Sequence, residues 1–593
     1  MIQRRILYRL WLRRLRKLIR NDQLILSVLA VVVGAAAAFG TILIRLSITY
    51  IETMFMDTGG GSIVERAADL PWWQIIMVPT FGGLIVGLFI FYVIPGRRPQ
   101  GIANVIEASA LRGGRMSLRT GIGAAIASSA SIGAGASVGR EGPAVHLGAT
   151  FGAWIAEKLH LTRSLSRALL GCGAAAAVAA SFNAPIAGAL FAHEVVVGHF
   201  ALSAFAPIVI ASVVGTVISR IFFGDFPAFT VYEHELVSFL EFPAIAGLGL
   251  LCGVTAVIFM KSIMVTQDQF NKLPGPEWIR PGIAGFLVGL IALVFPQVLG
   301  VGYYATDLAL QSQFPLYLLV LLIVAKIVAT SLSVGGGFGG GVFTPAIMLG
   351  AMLGGAYGIV ATSVFPDLSS GPAAYTIVGM GGVAAAVMGA PISTTLIIFE
   401  LTDDYPLTIA VMVAVVLSSL FTNQFTNGSY FNWQLERAGY DLKGGFETAL
   451  LRSITVRKVM AMESETVDVG ASLQDIRLKL QKSDTGELFV LKDGKELFGT
   501  ITLADLSEIA FDHDVDNLIN AGDIARVHPP LLDADDNLET ANKVIRDSGE
   551  HYIAVVENHD NMRFVGTLHE TEVMSAYNRA LVDARREEHD GHL

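Results

Sequence analysis

A proline-headed apolar helix motif occurs twice in this chain. Pro143-Ala144-x-x-Leu147-Gly148-Ala149 returns as Pro345-Ala346-x-x-Leu349-Gly350-Ala351, and Ala184-Pro185-Ile186 with Leu190 and Glu194 returns as Ala390-Pro391-Ile392 with Leu396 and Glu400. Each copy sets a glycine-rich turn and a proline at the mouth of an apolar helix. A helix end in an apolar medium leaves backbone groups that lipid cannot satisfy, so broken helices are tolerated there only where protein covers them or where they line a site or path. The pattern restricts the chain to a duplicated membrane core, an architecture suited to carrying ions or solutes.

Composition agrees. The 593 residues are 53% hydrophobic and only 16% charged, with a mean hydropathy of +0.57, which excludes an ordinary soluble enzyme. Apolar segments lie near 24–50, 72–95, 118–135, 144–160, 165–181, 185–222, 239–262, 279–299, 315–334, 344–365, 373–389, 391–401 and 406–426. A full crossing needs about 20 apolar residues, so the shorter pieces read as tilted, paired or re-entrant helices buried in protein. Residues 1–440 carry a slight basic excess and 441–593 a strong acidic one, which makes the tail a water-soluble domain. Cys172 and Cys252 sit in apolar runs and read as small core residues, giving neither a disulfide framework nor a metal site.

Residues 1–22 predict a basic amphipathic helix on anionic membrane lipids, with Arg4, Arg5, Arg9, Arg13, Arg14, Arg16, Lys17 and Arg20 spaced among Leu, Ile, Trp and Tyr. The apolar run that follows is too long for a signal peptide, and the positive-inside bias sets the N-terminus in the cytoplasm. A nucleic-acid-binding arm is the weaker reading, and no nucleic-acid partner is expected.

The most chemical segment is Ser137-Val138-Gly139-Arg140-Glu141-Gly142-Pro143, leading into a helix expected over Ala144–Ala156. Pro143 suits a first helical turn, and Gly139 and Gly142 let the backbone present its own N–H groups. Helix N-termini carry partial positive charge and unsatisfied donors, so this is an anion site by construction. Glu141 supplies a tethered carboxylate that can fill the site, be displaced by a diffusing anion, or leave on protonation; a structural ion pair with Arg140 is the plainer alternative. Gly335 through Pro345 is the uncharged counterpart, where backbone amides around Val342 and Phe343 would meet the anion from the other side.

Over residues 25–435 these motifs resemble the CLC chloride channels and chloride/proton exchangers. Gly139-Arg140-Glu141-Gly142-Pro143 looks like that family's GREGP gating segment, Gly341-Val342-Phe343-Thr344-Pro345 its GxFxP segment, and Phe182-Asn183-Ala184-Pro185 through Glu194 its proton-pathway helix. The resemblance implies an all-α polytopic fold, the CLC-type inverted repeat of tilted and broken helices, usually a homodimer with one pathway per subunit. It implies a voltage-gated chloride channel in the inner or plasma membrane, with Glu141 as gate, anion contacts at Gly139, Arg140, Gly142, Val342 and Phe343, and Tyr430 as a hydroxyl donor. Two positions depart from the family. The GSGIP signature aligns with Pro99-Gln100-Gly101-Ile102-Ala103, so Gln100 stands for the central serine, and nitrate or fluoride become alternative anions. The exchangers' internal proton-accepting glutamate aligns with Val195, next to Glu194, which favours a channel over a proton-coupled exchanger.

His193-Glu194 raises one other class, an intramembrane metalloprotease. Such enzymes need His-Glu-x-x-His, whereas here the fifth position is Val197 and His199 falls on the wrong helix face. The chain is accordingly read as not an enzyme, with no required cofactor.

The tail also repeats. Val456–Met460, Leu488–Leu491 and Gly499–Leu506 are echoed by Ala521–Ile524, Tyr552–Val556 and Gly566–Glu572. This resembles a tandem CBS pair, a cytoplasmic α/β module, over about 451–515 and 519–582. By that resemblance Asp505, with Glu572 at the matching place, holds the ribose of an adenine nucleotide. The expected domains are therefore 1–22, the transport domain 23–435, a linker 436–450 and the tail 451–593.

Overall fold

The computed structural model describes residues 22–589, apart from 57–60, 62, 68, 199–201, 226–228, 230–237, 427, 441–450, 452–453, 463, 484, 508–515 and 517. The basic segment 1–22, apart from its last residue, and most of the linker therefore lie outside the described residues. The chain divides into two compact units, Met1–Tyr440 and Asp441–Leu593.

The first unit is helical, and its main helices fall into two series that match in order. The first series is α1 (Asp22–Met56), α2 (Trp72–Val93), α3 (Ile102–Ala110), α4 (Leu118–Gly133), α5 (Glu141–Lys158), α6 (Arg163–Phe182), α7 (Pro185–Phe191) and α8 (Leu202–Phe223). The second is α9 (Phe242–Lys272), α10 (Arg280–Ala292), α11 (Tyr303–Leu310), α12 (Leu316–Gly335), α13 (Phe343–Val364), α14 (Pro372–Met388), α15 (Pro391–Thr402) and α16 (Tyr405–Phe425). A short α17 (Tyr430–Arg437) closes the unit. Among the described residues eight helical segments are long and apolar enough to cross a membrane, and three apolar pieces, Pro185–Val197, Pro372–Met388 and Pro391–Thr402, are shorter.

Two boundaries differ from expectation. The helix expected from Ala144 begins at Glu141, because Gly142 and Pro143 fit a first turn whose N–H groups need no intrahelical partner. The apolar stretch 185–222 is divided, with α7 running into a π-helical turn over Ala192–Val197 that ends at left-handed Gly198.

Small residues let the broken helices meet backbone to backbone. A Cβ on Gly173 of α6 would lie 1.9 Å from the Gly148 carbonyl oxygen of α5, and one on Gly379 of α14 would lie 2.3 Å from that of Gly350 on α13. Nothing larger than glycine fits either crossing. The two series also exchange hydrogen bonds. Gly139 N–H donates to Gly341 O and Gly341 N–H to Gly139 O, both at 2.7 Å, in an antiparallel bridge. Ser131 Oγ accepts from Gly339 N, while Ser333 Oγ accepts from Ser137 N, each at 3.0 Å. An approximate two-fold axis thus passes between the segments that open α5 and α13.

The second unit repeats a smaller plan. In its first copy, β1 (Thr466–Asp468) runs parallel to β2 (Glu487–Lys492), which pairs antiparallel with β3 (Glu496–Thr502), and α18 (Leu473–Lys482) connects β1 to β2. After β4 (Arg526–Val527), the second copy runs β5 (Leu531–Asp533), α19 (Leu538–Ser548), β6 (Tyr552–Val556), β7 (Phe564–His569) and α20 (Glu570–His589), with the same parallel and antiparallel pairings. The register slips at Val490/Leu491 and again at Val555/Val556, the same place in each copy. Ser472 and Asn537 cap α18 and α19. Each copy's leading segment joins the other copy. Ala461 and Thr567 exchange backbone hydrogen bonds, and β4 pairs with β3. This gives the α/β tail expected from the sequence.

Candidate functional site

Glu141 is the first residue of α5 and only 2% exposed. Its Oε1 accepts from the Tyr303 hydroxyl at 2.9 Å and its Oε2 from the Thr344 hydroxyl. Arg140 Nε lies 3.7 Å from Oε1, and the guanidinium sits over the Tyr303 ring, 4.8 Å from its centroid. The neighbouring glycine follows from this geometry, since a Cβ on Gly139 would come 2.8 Å from Glu141 Oε2. The ion pair weighed from the sequence is present, but the carboxylate's closest partners are two hydroxyls from the second series of helices.

A cavity of about 570 Å³ adjoins this carboxylate's segment. Gln100, Gly101, Gly142, Val342, Phe343 and Tyr430 all line it, so the structure brings together six of the sequence-predicted positions. Gly139, Arg140 and Glu141 are not among its lining residues. The remaining wall includes Arg97, Arg98, Arg280 and Arg437 against Glu107 and Glu277. An excess of guanidinium groups raises the local concentration of small anions. Tyr430, 4% exposed, accepts from Gln434 Nε2 at 3.0 Å, which leaves the phenolic proton to donate elsewhere. Gln100 Nε2 donates to the Arg98 carbonyl at 3.3 Å. At the cavity's far end α5 and α13 present their N-termini towards one another across the Gly139–Gly341 bridge, an electropositive place made of backbone.

Tyr303 and Thr344 escaped the sequence reading. Thr344 carried a signal, because aligning Pro143 with Pro345 sets it one residue beyond the position that matches Glu141. Tyr303 carried none.

Glu194, expected at the proton-pathway position, reaches across to the other series. Its carboxylate caps α15, accepting from Ile392 N (3.0 Å), Ser393 N (2.8 Å) and Ser393 Oγ (2.7 Å). Glu400 repays this from the other series, accepting from Ile186 N (2.9 Å) and Ala187 N (2.7 Å) at the start of α7. Val195 lies on the π-helical turn, which packs against α3, and His193 is buried with its ring stacked 5.6 Å from that of Phe205. Cys172 and Cys252 are buried and unbridged.

In the tail, Asp505 Oδ2 accepts from Thr502 N and Oγ1, both at 2.7 Å, and Glu572 Oε2 accepts from His569 N at 3.2 Å, so the two residues close equivalent turns. Arg526 reaches Asp505 at 3.3 Å and Glu550 at 3.1 Å. Beside them Glu487 is 7% exposed, and its Oε1 has no hydrogen-bond partner. Burial first, then the like charges of Glu550 and Asp505, push its carboxyl up to about 7 against the pull of Arg526.

Comparison with known proteins adds three findings. Residues 82–423 match the family model described as voltage gated chloride channel, and 456–512 and 521–579 each match that of the CBS domain. The chain is 33% identical to a ClcB-like protein of Ralstonia nicotianae over 65% of its own length and 91% of that protein's, and 29% identical to the voltage-gated ClC-type chloride channel ClcB of Escherichia coli over 68% and 97%. Among solved structures it resembles a slow cyanobacterial Cl⁻/H⁺ antiporter (TM-score 0.63, 23% identity, covering 70% of this chain and 97% of that one) and a eukaryotic CLC transporter (TM-score 0.62, 18% identity, covering 92% and 97%).

Proposed function

Because the chain belongs to the voltage-gated chloride channel family, as a multi-pass membrane protein of anion transport with C-terminal CBS domains, we propose that it conducts chloride in a channel-like manner under the control of Glu141. The path runs from the cavity at Gln100, Val342, Phe343 and Tyr430 past the N-termini of α5 and α13. No bond is made or broken. The ionised Glu141 carboxylate occupies the electropositive end of α5 and competes there with the anion for the same donors. The observation that carries this reading is the buried carboxylate itself, held by Tyr303 and Thr344 at the junction of the two helix series. A buried carboxylate in a membrane core is costly to keep charged, so one retained at a helix mouth marks function.

The channel reading rests on Val195, which cannot carry a proton, and on Glu194, whose carboxylate is committed to capping α15. Proton-coupled exchange is the second reading, favoured by one observation: Glu107 on α3 is buried, lines the cavity and pairs with Arg112 at 2.6 Å, which offers a carboxylate on the same wall as the anion contacts. The protein is further read as a homodimer in the inner or plasma membrane with both termini cytoplasmic. Its CBS tail is read as a regulatory module taking an adenine nucleotide at Asp505.

Chloride efflux and external pH, recorded together from liposomes of the purified protein with and without a potassium ionophore, separate the readings. Efflux without proton movement supports the channel; uphill proton movement that disappears in Glu107→Gln supports the exchanger. In Glu141→Gln we expect pH and voltage dependence to vanish with folding intact, and unchanged dependence removes the gate assignment. Gln100→Ser is expected to reorder the series chloride, nitrate, fluoride, and an identical series takes Gln100 off the path.

A further inference from the structure

Lys326 on α12 has no measurable exposure, and its Nζ donates to the carbonyl oxygens of Val298 (3.1 Å) and Gly300 (3.3 Å). Among the described residues no carboxylate pairs with it. A lysine inside a membrane protein held only by carbonyls is expensive, so something else must depend on those two contacts. The carbonyls belong to the loop that leads into α11. Its last residue, Gly302, is left-handed (φ 100), and a Cβ there would lie 2.7 Å from Met348 Sδ and 3.5 Å from Lys326 Nζ, so the backbone runs directly past the amine. The next residue is Tyr303, whose hydroxyl donates to Glu141.

The same face of α12 also holds Glu141's own segment. Thr330 and Ser333 follow Lys326 at i+4 and i+7, one stripe of the helix. Thr330 Oγ1 is 3.1 Å from Ser137 Oγ, and Ser333 Oγ accepts from Ser137 N at 3.0 Å. One helical stripe therefore fixes both the donor, through the 298–302 loop, and the acceptor, through Ser137. In the first series the corresponding stripe of α4 reads Ala124, Ser128 and Ser131. The hydroxyl pattern is shared and the lysine is not.

We propose that Lys326 is a positioning residue for the gate: it fixes the loop that presents Tyr303, and the Tyr303–Glu141 hydrogen bond sets how readily Glu141 leaves the anion path. The proposal rests on the reading of Glu141 as gate. Donation to the ionised carboxylate favours that form, so loosening the loop makes protonation, and with it release, easier. The groups facing Glu141 are Arg140 beside it, Tyr303 on α11 and Thr344 on α13. Arg45 and Glu52 on α1 interact electrostatically with Arg140, Arg45 also with Tyr303, and His146 lies further along α5. The variants below change none of these except Tyr303.

The test uses the full-length protein in liposomes, with chloride flux measured against external pH. In Tyr303→Phe the half-activation point is expected about one unit higher, a roughly tenfold easier protonation. Lys326→Met is expected to shift it in the same direction by less, and Lys326→Arg to restore it. Combined with Glu141→Gln, neither variant is expected to shift anything. If Lys326→Met lowers flux with the pH profile in place, or Tyr303→Phe leaves the profile where it was, the proposal is overturned. Tyr303→Phe keeps it testable should Lys326→Met fail to fold. If Glu141→Gln alone keeps the normal profile, the gate reading fails instead, and the two failures are told apart.

Discussion

The two helix series of the membrane unit share a backbone and divide the chemistry. Crossing glycines, serine hydroxyls that accept a backbone N–H from the other series, and glutamate caps occur in both, at matching positions. The groups that differ cluster at the junction: Glu141 against Phe343, Arg140 against Val342, and Ala124 against Lys326. Duplication supplied two helix mouths facing one another, which is all a diffusing anion requires. Departure from symmetry then added a carboxylate to one mouth, and the hydroxyl and amine that hold it to the other. The carboxylate and the groups that hold it belong to neither half alone.

This comparison can be broken most severely at the crossings. Gly173→Val and Gly379→Val each drive a side chain into a facing carbonyl, and each is expected to cost more than about 3 kcal/mol and to abolish recovery of folded protein. Detergent-solubilised yield and melting temperature check this, and a tolerated Gly379→Val would mean the second series is packed more loosely than the first. Next come the reciprocal caps. Glu194→Gln and Glu400→Gln are expected to lower stability alike, by about 1–2 kcal/mol, without changing chloride efflux or the external pH recorded with it. Altered proton movement in Glu194→Gln alone would assign that residue to a proton route. The tail, whose two copies are also not equivalent, adds an effect that only a change of pH reveals. Glu487 retains a proton that the unfolded chain has lost above the ordinary carboxylate range near ~4.3, so the first copy loses stability as pH rises from there to about 7 and is level beyond it. Amide exchange of β2 and β3, corrected for intrinsic rates, should lose protection by at most about tenfold per pH unit over that window. In Glu487→Gln the slope should disappear, while β6 and β7 should show none in either protein.

Much of the fold was legible because it depends on local signals. Pro143 and Pro345 marked the two mouths, the short apolar pieces marked the buried helices, and the spacing of Gly499-Thr500 against Gly566-Thr567 marked the tail's two copies. Within the site, Gln100, Gly101, Gly142, Val342, Phe343 and Tyr430 were found through motifs, and one cavity gathers them. What stayed hidden is non-local. Glu194 is a helix cap only because Ile392 and Ser393, far along the chain, come to it, and nothing around His193 or Val195 announces that. Tyr303 and Lys326 sit in ordinary-looking stretches, and their contacts exist only once the second series has folded against the segment that opens α5. Residue type predicts a helix end well, but it does not predict which partner arrives there from the other series.

The reciprocal caps have a consequence for the order of synthesis. The amides of Ile186 and Ala187 open α7, and their acceptor, Glu400, lies 214 and 213 residues downstream. At ribosomal rates of about 5–20 residues per second, the first series waits on the order of ten to forty seconds before its cap exists. During that interval the leading amides of α7 lack the acceptor they have in the folded protein. Whatever shelters them, whether insertion machinery, water or delayed entry of α7, is a transient partner that the finished protein no longer needs.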